Sequence, residues 1–136
     1  MRPVDEPISS VELLYRAVGA DHVSGPAVLP TAVDMQGTSV HRSKYCDAHV
    51  HLLLIRPDLT GIAVTQVGLF PAPQTLNEVT YEFFAVDEPE PDDSHHAEIR
   101  VRTDPTTREN KRINNGAVRR LLAESLARAF AVHTPP

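Results

Sequence analysis

Val79-Thr80-Tyr81-Glu82-Phe83-Phe84-Ala85-Val86, then Asp87-Glu88-Pro89-Glu90-Pro91-Asp92-Asp93-Ser94, then His95 to Arg102, is the stretch that decides the fold. The first run is rich in aromatic and β-branched residues, which fit a pleated, half-buried surface. The middle run, 87–94, holds five acids and two prolines and cannot pack, so it reads as a solvated loop. The third run alternates, with Ala97, Ile99 and Val101 on one side and His96, Glu98 and Arg100 on the other. Two strands joined by a polar loop predict an antiparallel pair.

Working outward, Gly61 to Phe70 is a further strand candidate, with Gly68 marking a possible bulge. His49 to Ile55 is another, closed by Pro57, and Arg56 to Thr60 suits a tight connection between the two. Leu13 to Val18 reads as a strand because Gly19 stops the run too early for a stable helix, although Ser9-Ser10-Val11-Glu12 offers helix-capping groups. Residues 19–37 carry three glycines and two prolines and predict an irregular crossing loop. Thr38 to Arg42 is either a short strand or the end of that loop.

Beyond a polar connector at 103–115, the period changes. Val118, Leu121, Leu122, Leu126, Ala129 and Phe130 recur at three- and four-residue steps, predicting an amphipathic helix from about Gly116 to Ala131. Asn114 or Asn115 supplies its N-cap. Arg120 with Glu124, and Glu124 with Arg128, are i,i+4 neighbours on its outer side. The expected fold is α+β, a mostly antiparallel sheet with a C-terminal amphipathic helix packed on it. It is expected to form one domain over residues 1–136, with 1–10 a frayed leader.

Composition narrows function. The chain has 136 residues and a formal charge of −5, which disfavours non-specific binding to nucleic acid or anionic membrane by the whole surface. No apolar run approaches the roughly 20 residues of a membrane helix, and no signal-peptide h-region stands at the N-terminus. A soluble, cytoplasmic protein is the expectation. One cysteine, Cys46, excludes an internal disulfide and a Cys-rich zinc module. Lys44 beside it would favour a thiolate, but an inert thiol is the plainer reading.

Charge is uneven. Residues 1–99 hold five Lys/Arg against fifteen Asp/Glu, whereas residues 100–136 hold eight against three. The bland reading is internal pairing, with Arg100, Arg102 and Arg112 near the acidic loop. The sharper one is a basic patch in the C-terminal third for a phosphate, an acidic partner or, less favoured for want of interleaved aromatics, nucleic acid.

Seven histidines are many for this length. His49 and His51 share one face of a strand, and with His96 they are the candidate metal ligands; Asp47, Cys46 or Glu98 would serve as alternative third ligands. The competing reading is a half-solvated sheet face. Glu98 is placed to orient His96, and Arg16, inside an apolar strand, needs a carboxylate or a phosphate. Arg16, Ser39, His96 and Glu98 are therefore the candidate catalytic residues if the chain is an enzyme. P-loop, GxGxxG, HExxH, GxSxG and zinc-finger patterns are absent, so no particular cofactor is expected.

Leu14-Tyr15-Arg16, then Ser39-Val40-His41-Arg42, then His96-Ala97-Glu98 resembles a group of small uncharacterised bacterial proteins with a leading L-Y-R, a central S-V-x-R and a late H-A-E. The resemblance covers about residues 13–99 and implies an architecture rather than an activity. The chain departs from that pattern at Val33, where an aromatic is expected. The order Arg16, Ser39, then Glu98 or Glu82 is also similar to ADP-ribosyltransferase-type folds. That likeness implies an arginine on NAD phosphates and a glutamate that stabilises positive charge on the ribose. The leading expectation is an accessory or protein-interaction domain of a bacterial cytoplasmic system, acting through a protein partner. The alternative is a small enzyme acting on a nucleotide or phosphate-containing substrate, either ADP-ribosyltransferase-like or a histidine/metal-dependent hydrolase.

Overall fold

The structure is a computed structural model that describes residues 5–45, 61–91 and 95–133. Its strands are β1 (Leu14–Val18), β2 (Val23–Ser24), β3 (Ala27–Val28), β4 (Thr38–Arg42), β5 (Gly61–Thr65), β6 (Gln74–Leu76), β7 (Val79–Asp87), β8 (His96–Arg102) and β9 (Ala131–His133), and its helix is α1 (Gly116–Arg128). Seven strands form one antiparallel sheet in the order β6-β7-β8-β4-β1-β5-β9, while β2 and β3 pair separately. The fold is α+β, as the hydrophobic pattern predicts.

The deciding hairpin pairs over six positions, from Glu82 opposite Arg102 to Asp87 opposite Ala97. β6 adds to β7 through Asn77-Glu78, both at positive φ (50° and 67°). That two-residue connection matches the twist of the strands it joins. It lay unseen in the sequence because it lacks the usual glycine.

Alternation sorts the side chains by face. Leu14, Val18, Val40, Ala63, Ala97 and Ile99 face α1 and form the main core with Leu126, Ala127 and Phe130. A second cluster joins Val101 and Ile113 to Val118 and Leu122 of α1. Asn115 caps the helix, its Oδ1 accepting from the backbone N–H groups of Ala117 (3.0 Å) and Val118 (3.1 Å).

The predicted helical stripe needs revision in two places. Leu121 is 47% exposed, whereas Ala123 and Ala127 are buried. At about 100° per residue, Val118, Leu122, Leu126, Ala123 and Ala127 span one half of the helix, and Leu121 falls outside it. The helix also stops at Arg128, and residues 131–133 become an edge strand against β5.

Other boundaries differ as well. Gly61 to Phe70 is a strand only to Thr65, followed by a 3-10 turn at Val67–Leu69. The crossing loop is more ordered than its composition suggests, with 3-10 turns at Ala20–His22 and Pro30–Ala32 flanking the β2–β3 hairpin. Thr38–Arg42 is a strand. His49, His51 and Cys46 lie outside the described residues. Among the described residues, no helix is long and apolar enough to cross a membrane.

Candidate functional site

Three charged groupings stand on this frame, and they differ in what is left uncommitted. The first is buried. Arg42 ends β4 on the helix-facing side and is only 1% exposed. Its Nε and Nη2 take the two oxygens of Glu12 at 2.9 and 2.7 Å, a bidentate fork. Its Nη1 donates to Glu6 (3.0 Å) and Asp87 (3.1 Å). Glu6 also accepts from Lys44 and from the Tyr45 hydroxyl. Burial alone would lower the Arg42 pKa, but the hydrogen bonds and charges of Glu12 and Asp87 outweigh it and raise it above the ordinary value. This hub ties the N-terminal segment, β4 and the end of β7 together. Its signal in the sequence is an arginine in phase with Thr38 and Val40, both inward-facing, and it went unread there.

The second grouping is the outer face of β4 and β8. Ser39 stands directly opposite Glu98, and His41 opposite His96. Glu98 does not orient His96. Its Oε1 accepts from Arg100 Nε at 2.8 Å, while His96 Nδ1 lies 2.8 Å from the Glu88 carbonyl and 3.4 Å from Glu90. Same-face residues two apart on a strand are separated by nearly 7 Å, and the long Arg100 side chain spans that gap where the imidazole does not. Arg100 also pairs with Glu88 (2.9 Å), and Arg102 with Glu82 (2.6 Å) while covering the Phe84 ring at 4.2 Å. Gly37, at φ 126°, lies against the Glu98 carboxyl so closely that a Cβ there would collide with it. His41 packs against His95 with ring centroids 4.7 Å apart. Among the described residues, no group of three metal-ligating side chains converges.

The third grouping surrounds Arg16, which lies on the opposite face of the sheet from Ser39, His96 and Glu98. The β1–β4 ladder ends at Tyr15–His41. Beyond it, Arg16 Nη1 donates to the Ser39 carbonyl at 2.8 Å, where a backbone N–H would otherwise serve, and Nε donates to the Ala32 carbonyl. The arginine thus wedges open the strand pair and fixes the Pro30–Ala32 turn. Burial holds its pKa below the ordinary value, with the charge of Asp34 acting against that shift. No described carboxylate forms an ion pair with it.

Arg16 lines a cleft of about 780 Å³ together with His22, Asp34, Arg119 and Arg120. Arg119 is the informative neighbour. By helical phase it sits between Leu122 and Ala123, inside the half of α1 that faces the sheet, yet it is exposed. Arg16 likewise occupies the sheet's helix-facing side, between Leu14 and Val18. Where these two facing surfaces would otherwise close over apolar side chains, each presents a guanidinium, and the core opens into a cleft.

The C-terminal basic excess therefore divides. Arg100, Arg102 and Arg108 are paired, the last with Asp5 at 2.7 Å. Among the described residues, Lys111, Arg112, Arg119, Arg120 and Arg128 form no ion pair, and Glu124 closes none with Arg120 or Arg128. Arg112 is thus not part of the internal pairing expected of it. Comparison with family models, with curated proteins and with solved structures finds no match.

Proposed function

We propose that this chain is an interaction domain, without catalysis of its own, that receives an anionic partner in the cleft between β1 and the start of α1. One observation carries the reading: Arg16, Arg119 and Arg120 line a single cleft against one acid, Asp34, and none of the three is neutralised by an ion pair among the described residues. Arg16 is largely desolvated without a carboxylate, which is costly, and an incoming carboxylate or phosphate would offset that cost, with the exposed Arg119 and Arg120 adding attraction at the mouth. The division of the four candidate catalytic residues between two faces supports binding over chemistry. The helix N-terminus adds little, since Asn115 already satisfies its first free N–H groups.

The test is retention on an immobilised polyanion. Arg119→Glu with Arg120→Glu should elute at clearly lower salt than Lys111→Glu with Arg128→Glu, which makes the same change in net charge outside the cleft. Equal elution of the two variants would remove the reading. The enzymatic alternative draws on the Ser39–Glu98 pair beside Arg100. It requires NAD or nucleotide turnover that is lost in Glu98→Gln.

A further inference from the structure

The cleft does not end at Arg119. Met35 and Arg119 also line a second cavity of about 470 Å³ that runs on past Gln36, Asn110, Arg112, Ile113 and Asn114. The two cavities are neighbours through their shared Met35 and Arg119, with Arg16 and Arg120 lining the first alone and Arg112 lining the second and not the first. Resting on the anion-binding reading above, we propose that the occupant is an extended acidic segment of a partner protein, lying along both cavities with carboxylates toward each end.

Five observations select that chemistry over a nucleotide. Each of the two adjoining cavities presents a cation of its own, whereas a single phosphate group would use one cavity only. Val33, Met35, Ala123 and Ile113 form aliphatic walls between the arginines, which suits the side chains of a peptide. A nucleobase prefers an aromatic platform, and among the described residues of the lining His22 is the sole ring. The side-chain amides of Gln36 and Asn114 form no hydrogen bond among the described residues, and they are suited to the N–H and C=O groups of an extended backbone. Asp34 stands beside Arg16, hydrogen-bonded to the Gln36 N–H at 2.9 Å. It would repel a dianionic phosphate more than a singly charged carboxylate.

The experiment is a calorimetric titration of the whole chain with a synthetic peptide of alternating Glu and Ala, which sets its carboxylates along one side of an extended strand. Inorganic pyrophosphate, ATP and a single-stranded RNA oligonucleotide serve as parallel arms. The peptide should bind, and Arg112→Glu, which changes the second cavity and leaves the first untouched, should weaken it about tenfold, the loss expected for one charge pair. Arg119→Glu should weaken it at least as much. Peptide binding that ignores Arg112→Glu overturns the inference, because the ligand would then use one cavity. Tighter binding of ATP, pyrophosphate or RNA overturns it too, but leaves the anion-binding cleft standing. Binding by none of the four overturns both.

Discussion

Replacing Arg42 by methionine tests the buried hub. The methionine keeps much of the aliphatic volume and removes the charge. The structure supplies the magnitude. Arg42 is 1% exposed, and it neutralises Glu12, Glu6 and Asp87, of which the Asp87 side chain is completely buried. Without the guanidinium, the three carboxylates lose the cation they share, while Lys44 still pairs with Glu6 on the solvent side. Breaking a buried pair by removing one partner costs about 3–5 kcal/mol. A chain of this length has a total stability of roughly 7–20 kcal/mol, so the loss is a large fraction of it. Urea unfolding followed by circular dichroism measures the change as a lower midpoint at an unchanged slope. The double variant Arg42→Met, Asp87→Asn should recover part of the loss, because the most deeply buried of the three charges is then gone. A single variant within about 1 kcal/mol of wild type, given the burial rule above, would refute the hub.

Glu6 gives a pH prediction. Hydrogen bonds from Lys44 and Tyr45, and then the charge of Arg42, lower its carboxyl from 4.5 to about 2. Its contribution to stability is therefore complete above pH 4.5 and lost as pH falls toward 2. Glu6→Gln should flatten that part of the acid limb in urea midpoints measured against pH, and an unchanged limb would contradict the assignment. In α1, Leu122→Ala should cost about 2–5 kcal/mol and Leu121→Ala less than about 0.5 kcal/mol by thermal unfolding. Similar losses at the two positions would mean the helix is turned differently on the sheet. Gly37→Ala should destabilise by more than about 1 kcal/mol, since both its φ and the Glu98 carboxyl oppose a Cβ. A neutral result would mean that Glu98 moves aside freely.

The elements legible in the sequence were those with strong periodicity. β7, β8 and the body of α1 follow from alternation and from the 118-122-126 spacing, because each buries one face against a single core. β6 and β9 were missed. Each is three residues long, and each exists through pairing with a neighbour rather than through a pattern of its own. Leu121 misled because an apolar residue on the outer side of a helix looks the same in sequence as one on the inner side.

The site was legible in fragments. Arg16 stands out as a charge in an apolar strand and Ser39 as its neighbour, but the hydrogen bond that joins them runs from the Arg16 side chain to the Ser39 carbonyl and leaves the Ser39 side chain on the other face. Arg119 carried a signal that passed unread: a charge inside the apolar half of a helix. The convergence of Arg16, Arg119 and Arg120 depends on how far α1 overhangs the sheet, and no local pattern encodes that distance.

The central claim is that Arg16, Arg119 and Arg120 form one anion-receiving cleft. The most direct measurement follows the guanidinium Nε–H resonances of arginine-labelled protein while the acidic peptide is added. Arg16 and Arg119 should shift together along one saturating curve, with Arg42 unmoved. Shifts spread evenly over Arg108, Arg128 and the other exposed arginines, with Arg16 unaffected, would contradict it.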